Sequence, residues 1–249
     1  MSRITAMPTV VRKFDRFITV YQEAGLTGAG SRLLRRIRQL FGGDDPKHAE
    51  WLRQKADADI EFDAVNGTAT GGVQNLFELN IIGDNARHGV SHIASDPASF
   101  TQLMRGLNVD FSNYSFVDLG SGKGRALMLA ASFPFRHIVG VEFAAELLDA
   151  AQANLSAFAK NGSDISHITL VSGDAASYLF PIEPLIVYLF NPFGSTIVRR
   201  VAENALASWR GAPRDVQILY MNPVHLSDFV EAGWMVTDTI YGCARLVPR

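Results

Sequence analysis

Between residues 115 and 247 the chain alternates strand-like and helix-like segments with a regularity that leaves few folds open to it. Apolar, β-branched runs stand at 115–119 (SFVDL), 137–142 (HIVGVE), 167–171 (HITLV), 185–190 (LIVYLF), 216–221 (VQILYM), 234–240 (WMVTDTI) and 244–247 (ARLV). Helical patterns lie between and after the first five, at 123–132, 145–160, 175–179, 195–209 and 225–231. Strand then helix, five times in succession, predicts an α/β fold: parallel neighbours need a crossover, and the crossover helices must cover both faces of the sheet. The last two runs are joined only by the YGC stretch after Ile240, too short for a crossover, so they are expected to close a mostly parallel seven-stranded sheet as an antiparallel hairpin.

Upstream of residue 99 the text is different. FGGDDP at 41–46 combines a helix-stopping glycine pair with acids and a proline and sets a boundary. From about 58 to 97, glycines at 67, 71, 72, 83 and 89 interrupt any sustained period. The expected organisation is a basic amphipathic helical extension over 1–45, a loop-rich cover over 46–98 and the α/β domain over 99–249. In the extension, SRLLRRIRQLF at 31–41 places Leu33, Leu34, Ile37, Leu40 and Phe41 on one helical face, with Arg32, Arg35, Arg36 and Arg38 largely off it. Residues 1–41 carry eight Lys/Arg against two acids, a charge of +6 that leaves −8 for the rest of a chain of net −2. Such a helix packs on the body of its own protein, or meets an anionic membrane surface or nucleic acid, and an Arg-rich amphipathic start also fits a cleaved targeting peptide.

Composition removes several function classes. No apolar run approaches the roughly 18 residues a membrane span requires. The single cysteine, Cys243, permits neither an intrachain disulfide nor a multi-cysteine metal site, and a reducing, cytoplasmic setting is expected. His88 and His92 are four apart, but Gly89 lies between them and no third ligand is near. No serine sits in a G-x-S-x-G setting, so hydrolase chemistry has no support.

Ligands of open α/β sheets bind beyond the carboxyl ends of the strands. Gly120, Gly122 and Gly124 follow the first strand of the regular region, where glycine permits positive φ and close approach of backbone to a ligand. The spacing G-S-G-K-G-R puts Arg125 where a dinucleotide loop has its third glycine, and it does not match a G-x-x-x-x-G-K-[ST] phosphate loop. Asp118 precedes the loop, and a carboxylate there favours a cationic ligand over a phosphate.

VDLGSGKG at 117–124, VGVE at 139–142 and SGDA at 172–175 together resemble the first three motifs of the class I, Rossmann-like S-adenosylmethionine-dependent methyltransferases. The resemblance covers roughly residues 100 to 249 and includes the terminal hairpin of that fold. It implies S-adenosylmethionine as cofactor, with Gly120, Gly122 and Gly124 against its methionyl part and Asp118 near the ammonium group. It further implies that Glu142 accepts the ribose hydroxyls, that Asp174 accepts from the adenine amino group and that the Ala175 backbone faces the ring edge. Each acid has a plainer reading, as a cap or a solvated helix-start residue.

LFNPFG at 189–194 ends the fourth strand beside that expected cofactor. Asn191, Pro192 and Phe193 resemble the N-P-P-[YF] element of amino-group methyltransferases, without its second proline, and the Asn-containing element of non-SET lysine methyltransferases. The resemblance implies a nitrogen acceptor, on a protein in preference to a nucleic acid or a small molecule. A strand-ending turn is the plainer reading of this Asn-Pro, and of Asn222-Pro223 after the fifth strand. A nucleotide-dependent oxidoreductase and a non-catalytic cofactor-binding scaffold are the alternatives.

Overall fold

The computed structural model describes residues 46–74 and 92–249. The extension expected over 1–45 and the part of the cover that includes His88 lie outside the described residues.

Seven strands form one sheet: β1 (Ser115–Leu119), β2 (His137–Glu142), β3 (Ile168–Ser172), β4 (Leu185–Phe190), β5 (Val216–Met221), β6 (Trp234–Ile240) and β7 (Cys243–Pro248). Their order is β3-β2-β1-β4-β5-β7-β6, with β7 antiparallel to both its neighbours and every other pairing parallel. The crossover units carry α3 (Arg125–Ala130), α4 (Ala145–Lys160), a single 3-10 turn (Ala175–Ser177) and α5 (Ser195–Gly211); α6 (Leu226–Ala232) precedes the hairpin. α2 (Pro97–Arg105) leads into the sheet, capped by the Asp96 side chain on the Ser99 N–H.

Alternation along the strands sorts the core into two layers. Val117 and Leu119 face a layer with Val187, Leu189, Ile218 and the α5 residues Ile197, Val198 and Val201. Phe116 turns to the opposite layer, with Ile138, Ile186, Tyr188, Phe100 and Met104 of α2, and Leu155 and Phe158 of α4. Asp118 shares the parity of Phe116 and is the one acid in a strand otherwise buried throughout by apolar and hydroxyl side chains. β1 and β4 are adjacent while their crossovers leave in opposite directions, so a crevice opens between their carboxyl ends.

The loop-rich cover expected over 46–98 is corrected at its beginning, where Pro46–Asn66 is a helix of 21 residues, α1. Its lack of an apolar stripe hid it, yet alanine, glutamate, glutamine, lysine and arginine are strong helix formers and proline suits the first turn. Residues 67–72 leave α1 as a short strap, and Val73–Gln74 pairs antiparallel with His92–Ile93. No described helix is long and apolar enough to cross a membrane, and no cluster of metal-ligating side chains occurs among the described residues.

Candidate functional site

The glycine loop is built by three left-handed residues, with φ of 80° at Gly120, 54° at Gly122 and 86° at Gly124. The Gly120 and Ser121 amides both donate to the Val141 carbonyl, folding the loop back over the end of β2. Space for that return comes from Gly140, where a Cβ would lie 2.6 Å from Leu127 and 2.8 Å from the Ser121 hydroxyl. Gly120 faces the other way, toward the β4 loop. A Cβ there would stand 2.6 Å from Pro192 Cβ and 3.4 Å from the Phe193 ring. Substituting Gly120→Ala is therefore expected to destabilise the protein by about 2–4 kcal/mol, combining left-handed strain with overpacking. The thermal midpoint is the measurement, and a midpoint equal to that of the wild type would contradict the packing described.

Beyond the loop lies a cleft lined by Asp118, Gly120, Ser121, Gly122, Arg125, Glu142 and Phe143 on one side and by Ser95, Tyr188, Phe190, Pro192 and Phe193 on the other. This brings together most of the sequence-predicted residues. Gly124 is not on the lining: its bare Cα faces Ala151 of α4, with a Cβ position 3.3 Å from the Ala151 methyl, and it starts α3. Asn191, Asp174 and Ala175 also lie outside the lining. Asp174 caps the 3-10 turn, accepting from the Ala176 N–H at 2.9 Å, while Ala175 is buried at its start.

Glu142 is buried and, among the described residues, its carboxylate is held by backbone alone, accepting from Gly122 N at 2.9 Å, Phe143 N at 3.0 Å and Ala144 N at 2.9 Å. Burial raises its pKa from the usual carboxylate value, against the lowering effect of those three donors. Asp118 has no such relief: among the described residues nothing donates to its carboxylate. Burial first, and the nearby Glu142 charge second, push its pKa up to about 8. Two carboxylates thus face one cleft, and among the described residues no cation lies between them, because the basic side chains of the loop are bound to α1 and the strap. Lys123 Nζ donates to the Gly71 carbonyl at 3.2 Å, and the Arg125 guanidinium pairs with Asp59. Sequence reasoning assigned neither residue a role, since their partners lie 52 and 66 positions away.

The opposite wall is aromatic. Tyr188 lies beside Asp118 in register, packs edge-on against Phe100 and exchanges a 3.0 Å hydrogen bond with the Ser95 hydroxyl. Asn191 adopts a left-handed backbone, φ 42°, which turns the chain out of β4 and presents Pro192 and Phe193 to the cleft. Its Oδ1 accepts from the Tyr220 hydroxyl of β5 at 3.2 Å. The loop is then pinned from behind: Ser195, the first residue of α5, donates to Asp228 of α6 at 2.7 Å, and Asp228 also accepts from Arg199 at 2.9 Å. Asn222, φ 49°, ends β5 in the same way, its amide donating to the Gly242 carbonyl.

No family model matches the chain, and no curated protein matches it. Solved structures similar to it include the pyocyanin biosynthetic protein PhzM, 17% identical over 60% of this chain and 53% of that one with a TM-score of 0.45. Another is a SAM-dependent methyltransferase of Geobacter sulfurreducens in complex with S-adenosyl-L-homocysteine, 17% identical over 57% of this chain and 65% of that one, TM-score 0.41. A third is a ribosomal protein L11 methylase of Lactobacillus delbrueckii, 14% identical over 61% of this chain and 75% of that one, TM-score 0.44. The chain spans about half the length of the first of these. On its own strand order, with helices on both faces and an antiparallel terminal hairpin, the domain is a Rossmann-like α/β fold of the kind expected for class I methyltransferases.

Proposed function

We propose that the protein is a methyltransferase that uses S-adenosylmethionine and methylates a nitrogen, of lysine type on a protein in preference to a nucleic acid or a small molecule. Charge carries this reading: Asp118 and Glu142 end neighbouring strands in one cleft, and the basic groups of the intervening loop are committed elsewhere. A diphosphate, which a dinucleotide or a nucleoside triphosphate would bring, opposes ionisation of these two acids and meets carboxyl groups where it needs cations; an ammonium or a sulfonium favours their ionised forms and is attracted by them. This favours methyl transfer over a nucleotide-dependent oxidoreductase.

The residues fit such a ligand. Asp118 is the partner for the ammonium group, and Gly120 and Gly122 allow the backbone to approach it. Glu142 uses three of about four lone-pair positions on backbone donors, leaving capacity for a sugar hydroxyl; accepting two would exchange the Gly122 bond. Gly124 acts one step back by setting the start of α3, and Asp174 and Ala175 continue the same sheet edge as contacts for the base.

When bound, the cofactor supplies an electrophilic methyl group on sulfur. The protein then has to orient an acceptor, and orientation alone can contribute roughly 7–11 kcal/mol. Pro192 and Phe193 form the wall against which a flat or aliphatic amine is aligned. Asn191 is held just behind that wall: Tyr220 occupies one lone pair of its Oδ1 and leaves a second for an amine N–H. A lysine acceptor must first lose its proton, at about 4 kcal/mol for three pH units, and that proton passes to water.

The test incubates the protein with labelled S-adenosylmethionine and separated protein, nucleic-acid and small-molecule fractions. Label is expected in protein, and Asn191→Ala is expected to bind S-adenosylhomocysteine normally while transferring at least about tenfold more slowly. Label confined to nucleic acid would overturn the choice of acceptor. Binding without any transfer would favour the scaffold.

A further inference from the structure

Arg125 is 1% exposed, lines the cleft, and spends its guanidinium away from it. Nε donates to the Thr70 hydroxyl at 2.6 Å, Nη1 pairs with Asp59, Nη2 lies 3.5 Å from Asp63, and the group stands 4.6 Å over the Phe62 ring. All four partners belong to the last turns of α1 and the strap that leaves it. That stretch is ordered by its own bonds. Asp63 accepts from the Thr68 hydroxyl at 2.7 Å, from the Thr70 N–H at 2.9 Å and hydroxyl at 2.6 Å, and from the Gly71 N–H at 2.8 Å. Although burial opposes ionisation, the bonds from Thr70, Thr68 and Gly71 bring its pKa down to about 2. Thr70 is fully buried.

Two further contacts reach the loop. Lys123 Nζ donates to the Gly71 carbonyl, and Asn154 of α4 bridges strap and loop by accepting from Ala69 N at 2.8 Å and donating to the Lys123 carbonyl at 3.1 Å. The two residues that flank Gly124 are therefore fastened to the strap from outside, while Glu142 fastens Gly122 from inside.

We propose that Arg125 is a positioning residue, a latch that couples docking of the 59–72 segment to the shape of the glycine loop, so that the cofactor binds tightly only while that segment is docked. The proposal rests on the cleft being the S-adenosylmethionine site. If Glu142 exchanges its Gly122 bond for a sugar hydroxyl, the loop is left held by the latch, so docking matters most in the liganded protein. Linkage makes the effect reciprocal: the cofactor must tighten the latch as much as the latch tightens the cofactor.

Calorimetry with S-adenosylhomocysteine, and amide hydrogen exchange with and without it, test the coupling on the full chain. Asp63→Asn and Thr70→Val, neither on the cleft lining, are expected to weaken binding about tenfold each, and Thr70→Ser, which retains the hydroxyl, to restore it. Exchange of the Thr70 and Gly71 amides is expected to slow at least about tenfold on addition of the ligand. Trp234→Phe removes a buried hydrogen bond to the Ala202 carbonyl in the opposite core layer and controls for lost stability, lowering the thermal midpoint with affinity unchanged. If the wild type binds but Asp63→Asn and Thr70→Val bind equally well, the latch is wrong and the cofactor site stands. If Trp234→Phe loses affinity in step with its midpoint, general stability explains the effect and the latch is equally wrong. If the wild type binds no S-adenosylhomocysteine, the cofactor site is wrong and the latch falls with it.

Discussion

Asp118→Asn is expected to make the protein more stable at pH 8 and to weaken S-adenosylhomocysteine binding at least tenfold. The carboxyl is buried, lacks a donor among the described residues and lies near the Glu142 charge, so its folded-state pKa of about 8 stands well above its ordinary 3.8. A folded state that holds a proton more tightly than the unfolded chain loses stability as pH rises between those two values. The wild type therefore sheds this contribution progressively from about pH 4 to about pH 8, and the variant does not. The gain in thermal midpoint of the variant should be larger at pH 8 than at pH 5, at about 2–4 °C for each kcal/mol relieved. Binding follows the opposite rule, because an ammonium group prefers the ionised carboxylate. Wild-type affinity should rise as pH is raised from 6 to 8, with proton release on binding, whereas the variant's should stay flat. An asparagine variant that is less stable at pH 8 and binds normally would show that Asp118 is structural.

Glu142→Gln should weaken the same ligand while shifting stability the other way. Three backbone N–H groups converge on the Glu142 carboxylate. An amide nitrogen in place of either oxygen leaves one or two of them facing a donor, at about 1–3 kcal/mol each. Relief of repulsion with Asp118 offsets part of this, yet the lost bonds are shorter-range and more numerous, so the midpoint should fall. Affinity should fall about a hundredfold, as the glycine loop loses its inner anchor and the ligand loses a charged acceptor. Opposite signs in stability with the same sign in binding would separate the two acids, one strained for its ligand and the other shared between ligand and scaffold. A glutamine variant as stable as the wild type would contradict the three-donor geometry.

The fold was legible because parallel strands buried on both faces announce themselves as continuous apolar runs. Five of the seven strands, at Ser115, His137, Leu185, Val216 and Trp234, start and stop where the sequence pattern places them, and the YGC hairpin closes the sheet as expected. Helix α1 was not legible: its contacts with the domain run through Asp59, Asp63 and Phe62 and leave no apolar stripe. The acids at 118 and 142 could be read from their places at strand ends. The destinations of Lys123 and Arg125 could not, since nothing local specifies partners on a helix and strap that far upstream. The spacing also could not show that Gly124 serves packing against Ala151, nor that the Asn191 amide is fixed by Tyr220 from the next strand.

The close approach of Gly120 to Pro192 has a mechanical side. With a methyl group's width missing at just that point, the loop after β1 and the loop after β4 touch without a cushion of side chain between them. Any side chain added to the first rim must push the second aside, so a change of residue on either rim is expected to alter the width of the crevice as a whole.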